Sequence, residues 1–398
     1  MNNNYELKYL ELLSKEFPSV QEVSTELINL TAILNLPKGT EHFLSDIHGE
    51  YDTFNHFIKN GSGVTRDKIN LLFIEKSEIE ARCAQIKQQV ERLLLDPRSE
   101  SFVHGFAESW LRLDKLGTMP PASLKFREYY RYGLKDAMLE ETHQFLTHAV
   151  LENIPLSDLI NSDYSFINQD LARHYGIDGV EGVHFRRVSF PENSMRGGLL
   201  GQASILTLTA NGVDTSPVIR GIWVLESLLG TPPSPPPPDV EPINPDVRGA
   251  QTVKQLLKKH RSVQACADCH AKIDPYGFPL EYFDPVGGYR PTYYRSRFWK
   301  NSTQSTKLLP SGPIDGSAVL TSGEKIHGPR TLKKVLLAKK NLLAQNLAEK
   351  LMTYAAGRVL TLRDKNEAKS IADSIIKDNF GFRDLIIKIA ASDAFARK

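Results

Sequence analysis

The 398-residue chain is too long for one ordinary core, so its length alone predicts two or three domains. Its 41% hydrophobic and 24% charged residues are typical of globular proteins and exclude the disordered and membrane classes. The formal net charge of +2 predicts no nucleic-acid partner, and the absence of an apolar run of about 18 residues predicts no membrane span.

The chain begins with a stretch that reads as a short α/β fragment over residues 1–74. Residues 5–36 have helical spacing, and a strand-like run at residues 41–44 leads into Ser45-Asp46-Ile47-His48-Gly49. The first thirty residues carry acidic and basic side chains throughout. They contain neither the continuous apolar stretch nor the small-residue cleavage site of a signal peptide. They are therefore not predicted to act as a secretion signal.

A helical domain is predicted over residues 75–230, because apolar residues recur at helical spacing from Glu78 onward. Its later predicted helices are Phe126 to Leu151, Leu156 to Tyr175, Leu199 to Ala210 and Val218 to Leu229. Gly230 is placed to cap the last of them. Cys83 falls on an apolar helical stripe, which predicts a small core residue.

Five cationic or titratable side chains stand out in this helical region, and no spacing brings them together. We predict that they are solvated or cap helices. They are His174, Arg186, Arg187, Arg196 and Arg220.

A proline-rich segment ends the helical domain. Thr-Pro-Pro-Ser-Pro-Pro-Pro-Pro-Asp at residues 231–239 predicts an extended polyproline linker, which we assign to residues 231–247. A haem-attachment domain is predicted at residues 248–328, because it contains the motif at residues 266–270. Its part from Ile273 to Gly328 is predicted to have irregular structure. A carboxy-terminal helical domain follows at residues 329–398, so the predicted fold class is mainly α.

Residues 266–270 read Cys-Ala-Asp-Cys-His. Two thiols at this spacing can each add to a porphyrin vinyl group, and the adjacent histidine then becomes the proximal iron ligand. Cys266, Cys269 and His270 therefore predict covalently bound haem c. The alternatives are no cofactor or a zinc site, and zinc requires four ligands where this motif supplies three.

Two residues are candidates for the distal position of the haem iron. Met352 is the only methionine after the motif, although a core methionine on a helix is the simpler interpretation of its pattern. His327 belongs to a predicted loop that would fold over the ring. We favour Met352 at this point and keep His327 as the alternative.

From about Glu78 onward the chain resembles the planctomycete-type cytochrome c proteins. This resemblance implies an extracytoplasmic or periplasmic haem protein of the envelope, with a redox partner protein or envelope complex and no known substrate. The stretches that carry it are Leu94-Leu95-Asp96-Pro97-Arg98, Trp110-Leu111-Arg112-Leu113-Asp114, Asp163-Tyr164-Ser165-Phe166-Ile167-Asn168, Arg196-Gly197-Gly198-Leu199-Leu200, Thr215-Ser216-Pro217-Val218-Ile219-Arg220-Gly221 and residues 266–284.

Residues 5 to about 73 resemble the start of a class III fructose-1,6-bisphosphatase, through residues 9–18 and 36–50. The resemblance implies that Asp46 and His48 would be the first ligands of a divalent metal of the manganese type. The later Gly-Asp-x-x-Asp-Arg and Gly-Asn-His-Glu blocks of that family do not occur in the chain. We therefore predict a truncated fragment with a vestigial metal site.

The two resemblances belong to different compartments, which predicts a fused or mis-joined chimera with its junction between Phe73 and Glu78. The favoured function is that of a haem protein with a redox or electron-transfer role, alone or as a component of a redox enzyme. The alternatives are a metal-dependent sugar phosphatase and a non-catalytic helical binding module. No phosphate-binding loop or serine nucleophile motif occurs, and no catalytic residue is assigned.

Overall fold

The computed structural model describes residues 76–234, 264–297 and 307–396, together with Ser19, Lys254 and Leu257. The chain divides into two units, residues 1–81 and residues 82–396. The predicted α/β fragment, with Asp46 and His48, lies outside the described residues, as does most of the predicted linker.

The region before the proline-rich segment is mainly helical, as predicted. Its two strands, β1 (Tyr164–Ile167) and β2 (Arg186–Ser189), pair antiparallel. Its helices are α1 (Lys76–Leu94), α2 (Ser99–Leu111), α3 (Arg127–Arg131), α4 (Leu134–Leu151), α5 (Asp158–Asn161), α6 (Gln169–Tyr175), α7 (Ala203–Leu208) and α8 (Pro217–Trp223), the last continuing as a wider turn over Val224–Leu229.

Two helix predictions in this region are wrong. The stretch from Phe126 to Leu151 contains α3 and α4, separated at Tyr132 and at Gly133 with its left-handed φ of 58°, rather than one helix. The stretch from Leu156 to Tyr175 contains α5, β1 and α6 rather than one helix. The aromatic and β-branched side chains of β1 suit a strand, and the side chain of Asn168 then caps α6 by accepting a hydrogen bond from the Leu171 backbone N–H. The predicted cap at Gly230 is confirmed, since this residue has the left-handed φ of 65° that ends the preceding turn.

After the proline-rich segment the described chain forms a helix that bears the motif, two small antiparallel strand pairs and a helical tail. The motif helix α9 spans Gln264–Gly277 and passes into a 3-10 turn at Phe278–Tyr282. The predicted irregular stretch from Ile273 is therefore partly wrong, because α9 continues past it and β3 (Thr292–Arg297) pairs with β4 (Lys307–Pro313), and β5 (Ser317–Val319) with β6 (Lys325–His327). The tail helices are α10 (Pro329–Ala338), α11 (Lys340–Ala356), α12 (Leu362–Asp378), α13 (Phe382–Ala390) and α14 (Asp393–Ala396).

One apolar cluster runs through the described parts of residues 82–396. It contains Trp110 of α2, Phe283 after α9 and Leu347 of α11. Two side chains fasten the helices to each other at one carbonyl: the indole N–H of Trp110 and the side-chain amide of Asn346 both donate to the Ser227 oxygen, at 2.7 and 2.8 Å. The core therefore continues across the proline-rich segment and into the tail.

Helices α8 and α9 approach each other closely because glycine stands at two contact points. A Cβ on Gly221 would lie 2.2 Å from the carbonyl oxygen of Ile273, and one on Gly277 would lie 1.8 Å from that of Pro217. Any larger residue would separate the two backbones. The motif helix is thus fixed in position against the region that precedes the proline-rich segment. Among the described helices, none is long and apolar enough to cross a membrane.

Candidate haem-binding site

The three motif residues share one helix, α9. Cys266, Cys269 and His270 stand at positions i, i+3 and i+4, which places them on one face. Cys269 is a half-buried free thiol, and His270 is 8% exposed. The side chain of Cys266 lies outside the described residues. A single α-helical turn therefore holds all three groups that covalent haem attachment requires.

His270 is held by a carboxylate one turn further along α9. Its Nδ1 lies 2.9 Å from Oδ1 of Asp274, and Asp274 is completely buried. Because a carboxylate only accepts hydrogen bonds, Nδ1 carries the proton and donates it to Asp274. Nε2 is then the nitrogen with a lone pair, the form in which histidine coordinates iron. The sequence analysis missed Asp274, although its i+4 spacing from His270 was available as a signal.

The segment that follows α9, residues 280–288, is held by three side chains from the helical region, which we call the polar clamp: His174, Arg196 and Arg220. Arg220 donates from Nη1 to the carbonyl oxygens of Leu280 and Phe283, at 2.6 and 2.9 Å. Arg196 donates from Nη2 to the Gly287 oxygen at 2.6 Å. The ring Nε2 of His174 lies 2.7 Å from the Val286 oxygen.

The prediction that these residues are solvated or cap helices is wrong for Arg196 and Arg220, which are 6% and 1% exposed. Each guanidinium is buried because the 280–288 segment passes over it and offers carbonyl oxygens as acceptors. The prediction is confirmed for Arg186 and Arg187, whose side chains are exposed.

Arg220 also faces a buried carboxylate. Its Nη1 lies 3.5 Å from Oε1 of Glu281, which is 0% exposed. Oε2 of Glu281 accepts hydrogen bonds from the Thr215 hydroxyl at 2.6 Å and from the Tyr293 hydroxyl at 3.2 Å. Burial lowers the pKa of Arg220 to about 10, so the guanidinium remains charged at neutral pH beside Glu281. This pair anchors the turn at the end of the motif helix.

Two cavities flank α9. One of about 530 Å³ is lined by Ala271 and Pro275 of the helix and by His327 at the end of β6. The other, of about 290 Å³, is lined by Cys269 and Tyr276 together with Pro232. Ala271 belongs to both. Open space therefore lies beside the thiol of the motif and along the neighbouring face of the helix.

The two distal candidates occupy different surroundings. Met352 is completely buried on α11, within the apolar cluster. His327 is exposed and lines the larger cavity, which it shares with Ala271 and Pro275 of the motif helix. Of the two cavities beside the motif helix, His327 lines the larger, and Met352 lines neither.

The donor set present fits a covalently bound haem. It offers a half-buried thiol beside open space and a buried histidine whose Nδ1 proton is engaged by a carboxylate. For zinc the fit is poorer: within residues 76–234, 264–297 and 307–396, no group of three or more His, Cys, Asp and Glu side chains is arranged to hold a metal ion.

Comparison with known protein families divides the chain into matching segments. Residues 196–293, which contain the motif and two members of the polar clamp, match a protein family of unknown function, DUF1588. Residues 71–177 match the family of unknown function DUF1592, and residues 322–395 match DUF1585. These three are domains of the planctomycete cytochrome c type.

Residues 8–102 match a fourth family, the Firmicute fructose-1,6-bisphosphatases. The class 3 fructose-1,6-bisphosphatase of Clostridioides difficile is 66% identical over 70 residues, which are 18% of this chain and 11% of that protein. The enzyme of the same name from Fusobacterium nucleatum is 55% identical over 94 residues, 22% of this chain and 15% of that protein. The chain therefore spans less than a fifth of the length of these two relatives.

No solved structure matches the chain. The bisphosphatase match and the DUF1592 match overlap at residues 71–102, and the predicted junction between Phe73 and Glu78 lies inside that overlap. The chain thus joins a stretch similar to part of the class 3 fructose-1,6-bisphosphatases to three stretches that match domains of the planctomycete cytochrome c type.

Proposed function

We propose that this protein binds haem c covalently through Cys266 and Cys269, with His270 as the proximal iron ligand, and that it transfers electrons. The observation that carries the proposal is the buried hydrogen bond from His270 to Asp274, because it sets the histidine in the ligating tautomer on the helix that bears both cysteines. The matching cytochrome-type domains support the same function.

The residues of the chain have distinct tasks in this proposal. Haem, once bound, supplies the one-electron chemistry. The two thiols hold the porphyrin to α9, and His270 holds the iron. Asp274 keeps the proton on Nδ1. The close glycine contacts between α8 and α9 keep the helix in place while the oxidation state changes.

For the distal position we propose His327 ahead of Met352, because His327 lines a cavity beside the motif helix. Met352 remains the alternative. If His327 ligates, His327→Ala changes the low-spin spectrum and Met352→Leu leaves it unchanged. If Met352 ligates, Met352→Leu abolishes the sulfur-iron band near roughly 695 nm and lowers the potential.

The cytochrome-type domains also imply a redox partner and an extracytoplasmic site of action, which we include in the proposal. The bisphosphatase-like segment is of a cytoplasmic type. We therefore propose that haem loading requires export of the part of the chain that bears the motif.

The test of the proposed function is haem that survives extraction. The full chain, preceded by a secretion signal and made with a haem maturation apparatus, should retain its pigment in acid-acetone. Cys266→Ala and Cys269→Ala should each weaken retention. Cys83→Ala is the matched control, since it removes the third cysteine outside the motif. Complete extraction of pigment from the unmodified protein would refute covalent attachment.

Metal-dependent sugar phosphatase activity is the second candidate, favoured by the high identity of the amino-terminal segment to its relatives. The chain covers 11–16% of the length of three such relatives, so most of a two-metal site has no counterpart in it. We expect no phosphate release from fructose 1,6-bisphosphate with added Mn²⁺. Release that disappears in Asp46→Asn and His48→Ala would establish this activity instead.

A further inference from the structure

We infer that Asp274 is a positioning residue that lowers the reduction potential of the iron held by His270. The inference rests on the proposed function, because it concerns the haem that Cys266 and Cys269 would attach. It adds a property that the motif by itself does not specify: the protein would be built to favour the ferric state.

The contact between the two side chains has the geometry of a charge-assisted hydrogen bond. Nδ1 of His270 and Oδ1 of Asp274 are 2.9 Å apart, and the two residues are one helical turn apart on α9. Asp274 is 0% exposed and His270 is 8% exposed. In such a buried setting a hydrogen bond to a charged acceptor is stronger than the same bond in water.

The backbone that carries Asp274 is fixed on either side of this residue. The residue before Asp274 is Ile273, whose carbonyl oxygen touches the backbone of Gly221. Three residues after it, Gly277 lies against the carbonyl of Pro217. Helix α8 therefore packs closely against α9 before and after Asp274. This packing holds the backbone that places the Asp274 carboxylate next to the ring of His270.

A carboxylate acceptor changes the iron in two ways that act in the same direction. By drawing the Nδ1 proton it makes the imidazole a more basic ligand, and a more basic ligand favours ferric iron. Its negative charge, close to the iron and poorly screened, also stabilises the higher positive charge of the ferric state. A neutral acceptor would provide neither effect to the same degree.

The experiment compares midpoint potentials of the full chain with haem attached. In Asp274→Asn the ferrous-to-ferric ratio at a fixed potential should rise at least tenfold, which corresponds to about 59 mV for one electron. Asp268→Asn is the matched control: it removes the same charge from the same helix at an exposed position, where water and salt screen it. An equal shift in both variants, or no shift in Asp274→Asn, would overturn the inference.

A second measurement covers the case in which Asp274→Asn does not fold. The unmodified ferrous protein is diamagnetic when a side chain, or otherwise added carbon monoxide, completes the low-spin iron. In that state the Nδ1 proton of His270 should appear far downfield in the NMR spectrum and exchange slowly with water. A proton that exchanges rapidly would overturn the inference. Failure of haem to attach to the unmodified protein refutes the proposed function instead, so the two failures can be told apart.

Discussion

The segment after the motif helix and the helical tail are held by opposite kinds of interaction. Residues 280–288 depend on buried cations, since Arg196 and Arg220 donate to their carbonyl oxygens. The tail is held mainly by apolar packing, with Leu347 and Ala348 of α11 among its completely buried residues and the Asn346 hydrogen bond to Ser227 beside them. Hydrogen bonds are directional, so they determine the exact position of a backbone segment. Apolar packing is non-directional and mainly keeps a segment out of water. The candidate haem-binding site lies beside the segment whose position is determined by hydrogen bonds.

The largest expected effect comes from breaking the clamp. Arg220→Ala removes four donated hydrogen bonds and leaves the buried Glu281 with Arg290, at 3.4 Å, but without the cation that faces its Oε1. We expect a loss of about 3–5 kcal/mol in the free energy of unfolding, measured with urea. The exposed Arg186 is the control, and Arg186→Ala should cost less than about 0.5 kcal/mol. Equal losses in the two variants would show that the polar clamp contributes no more to stability than an exposed arginine does.

Removing an apolar side chain from the tail should cost about 3 kcal/mol, because a cavity remains. Leu347→Ala is the clearest case, since this residue is 0% exposed on α11. The loss should leave the midpoint potential of attached haem unchanged. A shifted potential would break the distinction between the two regions by coupling the tail to the iron.

Two glycines, one at the end of the motif helix and one in the tail, sharpen the comparison. Gly277→Ala would bring a methyl group to 1.8 Å from the Pro217 carbonyl oxygen and force α8 and α9 apart, at a cost of about 3 kcal/mol. Gly357→Ala, at the end of α11, meets no atom within 4 Å and opposes only the φ of 65°, at a cost of about 1 kcal/mol. Thermal unfolding of both variants measures the two losses. A larger loss in Gly357→Ala than in Gly277→Ala would contradict this prediction.

Stability should also depend on pH through Glu141 of α4, which lies behind the polar clamp. Its carboxyl accepts hydrogen bonds from Ser165 at 2.7 Å and Tyr175 at 2.5 Å, and the Arg196 guanidinium lies 3.7 Å from the Tyr175 ring. Burial raises the pKa of Glu141 to about 7, against about 4.3 in an unfolded chain.

Between these two pH values the folded protein keeps a proton that the unfolded chain has lost, so stability falls as pH rises from about 4.3 to 7. Glu141→Gln should flatten this part of the curve of unfolding free energy against pH. Glu140→Gln, at the neighbouring position, should not. A curve with the same slope in both variants would be evidence against a protonated Glu141.

The smallest effect on stability is expected from cutting the proline-rich segment, which we still predict to be the preferred site of limited proteolysis. The apolar cluster includes Leu229 before this segment and Phe283 after it. The two fragments should therefore remain associated in size-exclusion chromatography. Cleavage that begins within residues 126–150 would show that the boundary is misplaced.

Local features of the sequence were sufficient for several parts of the structure. The helical start near Glu78 and the cap at Gly230 were both predicted, because each depends on residues within one or two turns of each other. The single helix over Cys266, Cys269 and His270 and the i+4 carboxylate of Asp274 are equally local features, although neither was predicted.

By itself, the sequence determined the motif, through the spacing of its residues, and the two kinds of domain that the chain joins, through their resemblance to known families. Only the tertiary structure decided which side chains support the site. His174, Arg196 and Arg220 find their carbonyl partners 60 to 112 residues away. Every residue has a backbone carbonyl, so the type of residue does not show which carbonyl will accept such a hydrogen bond. These contacts could therefore not be predicted from the sequence pattern.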